Sequence, residues 1–248
     1  AFTGNSCQNS EPGSGTMKVP STDDRVPLMQ ADQLPLDTPC LVLDELRRLY
    51  PVRGLVHVGA GDSLHELFYA DWGLSSVLLL EADEDRCATL AISVQGRSGW
   101  TVVNALVDQQ PGPVEFLLAS NPRASGVVDP ERFQFVWRNL RTVERRPMTA
   151  TPLQALMAAP TVSDNPGPAY NWLLVDCLPA RPVLDGVGVW NGAFDVVVAR
   201  ALLLPDGEAV AGAGHDEIET SMRARGYRRM GVLKAGHPAI GQLVYVKD

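Results

Sequence analysis

No apolar run in this chain approaches the roughly 18 to 20 residues that a membrane-spanning helix requires, so no membrane span is expected. Basic charge is in short supply too. The 21 Lys and Arg stand against 29 Asp and Glu, a formal charge of −8. That balance argues against a sequence-independent nucleic-acid surface, which needs clustered cations to displace counterions from phosphates. Cysteine is sparse and scattered. Cys7, Cys40, Cys87 and Cys177 have no paired spacing of the zinc or redox kind and read as ordinary thiols. His65, His215 and His237 also lack the spacing of a ligand set, so no metal is expected. The N-terminus carries no basic region followed by a hydrophobic one, and the expectation is a soluble, cytoplasmic protein.

Residues 1–35 lack apolar periodicity and are rich in Gly, Ser and Pro, a composition that buries too little surface to offset ordering entropy. They read as a flexible leader, and 36–248 as one domain. The chain starts with Ala1, so processing of this leader is one explanation of its first residue. A total of 248 residues suits a single α/β domain.

A helical pattern starts at Thr38-Pro39, sets Leu43, Leu46 and Leu49 on one face, and ends at Pro51. Strands are expected over 54–58 and 77–81, with a helix over 63–71 between them. Asp83 caps a further helix that turns Cys87, Leu90 and Ala91 inward. A third strand covers 101–106, and Pro111-Gly112 turns into an added hairpin strand over 114–118. The stretch 119–150 reads as irregular loops over a binding face. The apolar runs 172–176 and 194–199 suit strands covered on both faces. A helix with Ile218 and Met222 inward ends at Gly226, and two short strands, 227–233 and 242–247, close the chain.

The chemistry concentrates in Leu55-Val56-His57-Val58-Gly59-Ala60-Gly61-Asp62, followed at the end of Val77-Leu78-Leu79-Leu80 by Glu81. A buried strand breaking into a glycine turn, then a second strand ending in a carboxylate, is the pattern of a nucleotide-binding βαβ unit. The glycines admit close backbone approach, and the Glu accepts both hydroxyls of a ribose. A plain strand-to-helix turn uses the same glycines. Two features separate S-adenosylmethionine (SAM) from a dinucleotide as the ligand. Leu64 stands where a dinucleotide fingerprint wants its third glycine, and the closing strand pair resembles the antiparallel finish of class I methyltransferases. The expected fold is therefore α/β, a Rossmann-like doubly wound, mostly parallel sheet with an antiparallel C-terminal strand pair.

Several stretches, in order, resemble the FkbM family of methyltransferases over roughly residues 40–248. They are Val56 to Gly61, Leu80-Glu81-Ala82-Asp83, Asn104 to Val107, Gly112 with Val114-Glu115-Phe116, Asn121 to Ser125, and Leu173-Leu174-Val175-Asp176. The resemblance implies a SAM-dependent O-methyltransferase acting on a sugar or a polysaccharide or glycan precursor. It implies that Val58, Gly59, Ala60 and Gly61 lie against the methionine part of the cofactor and that Glu81 and Ala82 hold the ribose. Asn104 and Ala105 would line the adenine slot, and Asp176 would be the catalytic carboxylate beside the transferring methyl.

The chain also departs from that family. His57 stands at the position of the usual acid of the first motif, and Ser63 replaces a glycine. The family's Asp-Val-Glu-Gly-Ala-Glu reads Asp176-Cys177-Leu178-Pro179-Ala180-Arg181, which removes both Glu, and an acid at the end of the fifth strand is Arg200. Loss of those carboxylates favours an acidic acceptor or no chemistry at all, so a catalytically inactive binding or assembly module stands as the alternative. An NAD-type oxidoreductase is a third, disfavoured by Leu64. Asp176 also serves as a strand-end cap in the plainest reading, and His57 as a core-edge histidine. Between the third and fourth strands, Arg132, Arg138, Arg141, Arg145 and Arg146 crowd around Phe133, Phe135 and Trp137. This segment, 121–146, is either a solvated amphipathic stretch or a dock for an anionic acceptor or a protein partner.

Overall fold

The computed structural model describes residues 39–63, 67–158, 170–190, 194–204, 210–234 and 237–248. The expected leader, 1–35, and Leu64 lie outside them. Along the chain run α1 (Pro39–Leu49), β1 (Leu55–Val58), β2 (Val77–Glu81), α2 (Glu84–Ser93), β3 (Trp100–Asn104), β4 (Leu106–Val107) and β5 (Gly112–Ala119). After two 3-10 turns come β6 (Thr142–Thr151), α3 (Leu153–Met157), β7 (Trp172–Val175), α4 (Arg181–Asp185), β8 (Val196–Leu202), α5 (His215–Ala224), β9 (Tyr227–Lys234) and β10 (Ile240–Lys247).

Seven strands form the central sheet in the order β3-β2-β1-β7-β8-β10-β9. The first five pair in parallel, whereas β10 is antiparallel to both β8 and β9. The fold is thus the mostly parallel α/β sheet with an antiparallel C-terminal pair that the sequence leads one to expect. Alternation along the strands divides the core in two. Leu55, Val77, Leu79, Trp172 and Leu174 face α1 and α2, and Val56, Leu78, Leu80, Leu173 and Val197 face Val183 of α4 and Ile218 and Met222 of α5. Because both faces are covered, these strands read as unbroken apolar runs.

Several local expectations fail, each for a physical reason. In α1 Leu43 and Leu46 are buried but Leu49 is 73% exposed, because two successive steps of three residues drift off a 3.6-residue face. In α2, capped by Asp83 through the Asp85 N–H, Val94 just past the last turn joins Cys87 and Leu90 in the core, and Ala91 faces solvent. The described part of the expected 63–71 helix forms turns instead. Leu67 and Tyr69, two positions apart, are both buried, and a helix would set them on opposite sides. The third strand is split at Ala105. The Ala105 N–H still bonds the Glu81 carbonyl at 3.0 Å, but Leu106 and Val107 leave β2 for β6.

The largest correction concerns 119–150. Its last third is a ten-residue strand, β6, the middle of a separate three-stranded sheet β4-β6-β5. Charges at its outward positions mask the alternation. Arg145 reaches out to Glu115 at 2.6 Å, and its neighbour Arg146, on the other face, reaches Asp83 at 3.5 Å and Asp85 at 3.4 Å. The fourth strand ends one residue early, leaving Asp176 beyond it, and the fifth is shifted to 196–202.

Candidate functional site

A cleft of about 260 Å³ opens at the carboxyl ends of β1, β2 and β7, where ligands collect in open α/β sheets. The glycine turn forms its floor. Gly59 and Gly61 both adopt positive φ, +76° and +81°. The turn is pinned to β2 by the Gly59 and Ala60 N–H groups, which donate to the Leu80 carbonyl at 2.8 and 3.2 Å. A Cβ added at Gly59 would come within 3.2 Å of the Asp176 backbone, so the turn packs directly against the end of β7.

Glu81, buried at the tip of β2, folds back over this turn. Its carboxylate accepts the Gly61 N–H at 2.8 Å on one oxygen and the Asp83 N–H at 3.0 Å on the other. Burial raises its pKa above the ordinary value, against the opposing pull of those two N–H groups and of Arg86. Each oxygen retains a lone pair for a further donor. Arg86 lines the cleft too, its Nε 3.4 Å from Asp62.

Of the residues the sequence nominates, Val58, Gly59, Ala60, Gly61, Glu81, Ala82, Ala105 and Asp176 all line this one cleft. Asn104 does not. Its side-chain amide donates to the carbonyls of Glu81 and Ala82, both at 3.0 Å, and so braces the β2 tip from outside. An apolar wall of Leu106, Val107 and Phe116 closes the side nearest β4 and β5.

At the opposite side Asp176 meets two residues from the C-terminal half of the sheet. Arg200 Nη1 donates to the Asp176 carbonyl at 3.3 Å and lies 3.7 Å from its Oδ1, which the Gln242 side-chain amide approaches at 3.5 Å. Arg200 and Gln242 sit opposite each other in the β8–β10 register. Next to them the Cys177 thiol is pushed up to about 12, by burial first and then by Asp176, so it stays protonated and is no nucleophile.

His57 belongs to the cleft wall as well, 6% exposed, its Nδ1 2.6 Å from the Tyr69 hydroxyl. Burial lowers its pKa to about 4, and Nε2 has no partner among the described residues. It is a neutral imidazole at the edge of the core.

The arginine-rich segment divides. Pro122, Arg123, Ser125, Gly126 and Val127 reach the cleft, while Arg132, Arg138, Arg141, Arg145 and Arg146 are not among its lining residues. Arg181, one of the family departures, also lies off the cleft and pairs with Asp185 at 3.5 Å. The sequence assigns no site role to Phe116 or Gln242, which line the cleft, or to Tyr69, which reaches it through His57. A glutamine inside the apolar run 240–246 was a readable signal; the Tyr69 contact had none.

Among the described residues no group of His, Cys, Asp or Glu is placed to hold a metal, and no helix is long and apolar enough to cross a membrane. Comparison with protein-family models gives no match, and neither does comparison with curated proteins. Solved structures similar to this chain include the ribosomal protein L11 methylase of Lactobacillus delbrueckii subsp. bulgaricus, 11% identical, with a TM-score of 0.47 and 86% of this chain and 79% of that one covered. Another is the magnesium protoporphyrin IX methyltransferase of Synechocystis PCC 6803 with bound SAM, 8% identical, with a TM-score of 0.44 and 86% and 78% covered.

Proposed function

We propose that the cleft binds SAM and that the protein is a SAM-dependent O-methyltransferase acting on a hydroxyl of a sugar or a polysaccharide or glycan precursor. The observation that carries this reading is the positive-φ turn Gly59–Gly61 held against the Glu81 carboxylate, with Asp176 on the far side of the same cleft. The donor set fits the cofactor. Glu81 offers acceptor lone pairs to the two ribose hydroxyls, Ala82, Ala105, Leu106 and Phe116 offer an apolar slot for a purine, and the backbone of Val58 to Gly61 is open to close approach. SAM supplies a methyl group on a positively charged sulfur.

The chain's own part is alignment and proton removal. Asp176 is the one carboxylate left in the strand-end signature. Its Oδ1 faces Arg200 and Gln242, and its Oδ2 has no partner among the described residues. Oδ2 is the group to take the acceptor's hydroxyl proton. The sugar acceptor rests on the FkbM resemblance. The free thiols of Cys87 and Cys177 suit a reducing compartment, and a cytoplasmic location is part of the same proposal. A protein partner at the 121–146 segment, where Arg132, Arg138, Arg141 and Arg145 are exposed, would be a separate function of that face.

One observation favours the alternative of an inactive binding module: Arg200 lies against the one carboxylate left in the strand-end signature. A screen of sugars and glycan precursors with methyl-labelled SAM separates the two. Activity is expected, reduced at least about 10²-fold by Asp176→Asn, the scale of losing a positioned base. SAM binding with no labelled product across the screen would establish the binding module instead.

A further inference from the structure

Arg200 is an unusual occupant of its strand. Every other residue of β8 is apolar, and all seven positions are buried. Its side chain is only 9% exposed, and a buried guanidinium costs several kcal/mol unless its donors are met. They are not met. Of its three nitrogens only Nη1 has partners, the Asp176 carbonyl at 3.3 Å and the more distant Oδ1 at 3.7 Å. Nε and Nη2, the edge that grips an oxyanion with two parallel hydrogen bonds, have no partner among the described residues. Neither is among the buried polar atoms left without a bond, so both keep contact with solvent, and the cleft that Arg200 lines is the opening it shares with Asp176.

We infer that Arg200 is a specificity-determining residue that binds a carboxylate or phosphate group on the acceptor, so that the substrate class is acidic. Of the two arginines that stand at the family's acidic strand-end positions, Arg200 is the one that lines the cleft, whereas Arg181 lies off it and pairs with Asp185. The contact with Asp176 does not fill the role. It is long, uses a single nitrogen, and leaves the bidentate edge vacant. Gln242, opposite Arg200 in register, takes a share of Asp176 Oδ1 and so spares the guanidinium from serving only as its counter-ion. Leu178, Pro179, Pro182 and Val183 line the cleft with it, low-polarity surroundings in which an ion pair with the acceptor is strengthened. The sugar ring used below rests on the proposed function; the anion site does not.

Calorimetric titration of the full chain with glucuronate, glucose 6-phosphate and glucose tests this directly, since the three share a ring and differ in the anion. At least one acidic sugar is expected to bind wild type tenfold or more tightly than glucose, and which one does so identifies carboxylate or phosphate as the ligand. Arg200→Gln should erase that gap, and Arg200→Lys, which keeps the charge and loses the fork, should keep part of it. Arg200→Lys also remains informative where Arg200→Gln fails to fold. Equal binding of all three sugars by wild type, or an undiminished gap in either variant, overturns the inference. A parallel titration with SAM keeps the two readings apart. An anion gap without SAM binding would sink the methyltransferase and leave the anion site standing.

Discussion

Gly59 and His57 show how closely single residues in this cleft are tied to the backbone around them. Gly59 has a φ of +76°, and a Cβ there would crowd the Asp176 backbone at 3.2 Å. Gly59→Ala should cost about 1–3 kcal/mol from the backbone conformation alone, with more from the 3.2 Å contact, and a thermal melt should show a fall of several degrees. His57 predicts a pH dependence. Its pKa falls from 6.5 to about 4 on folding, so between those values the unfolded chain binds the extra proton and the folded one does not. Stability is therefore full above pH 6.5 and declines as pH falls towards 4, by up to about 3 kcal/mol from this group. Denaturant melts of wild type and His57→Gln at pH 7 and pH 4.5 should show wild type losing more on acidification. Parallel losses would contradict the assignment.

At the scale of elements, the chain shows which signals survive inspection of a lone sequence. β1, β2 and β7 were legible because strands buried on both faces announce themselves as apolar runs, and the glycine turn with Glu81 marked the site between them. β6 was hidden. Its charged residues point outward or toward α2, and its pairing with β5 is a long-range fact that local pattern does not carry. The turn at 67–73 was misread for the opposite reason. Its apolar residues pack by individual reach, as when Tyr69 bonds His57 and Phe68 meets Trp72 edge-on. Arg200 was noticed in the sequence as an altered charge, but its open guanidinium edge appears only once β7, β8 and β10 lie side by side. The Arg146 bridge from β6 to Asp83 and Asp85 ties the small sheet to the start of α2, one residue beyond the Glu81–Ala82 tip. Arg146→Ala should speed amide hydrogen exchange across residues 83–86 while leaving β1 and β7 protected. Unchanged exchange there would assign the bridge to the solvated surface, where most such pairs contribute little.

For the whole molecule, the two sheets and the glycine turn converge on one cleft that holds eight of the nine residues nominated from the sequence, with Asn104 just outside. The lining residues divide it in two chemically. Glu81 and its apolar neighbours suit a nucleoside, and Asp176, Arg200 and Gln242 suit a polar acceptor. A protein with the formal charge of −8 would not draw an anionic acceptor by long-range attraction, so recognition falls to the local guanidinium. The central claim is that the Gly59–Glu81 unit binds SAM rather than a dinucleotide. Calorimetric titration of the full chain with SAM, and separately with NAD, reads it most directly. The account predicts saturable binding of SAM, weakened roughly tenfold to a hundredfold by Glu81→Ala through loss of charge-assisted hydrogen bonds, and no binding of NAD. No heat with SAM at millimolar concentration, or tight binding of NAD in its place, would contradict it.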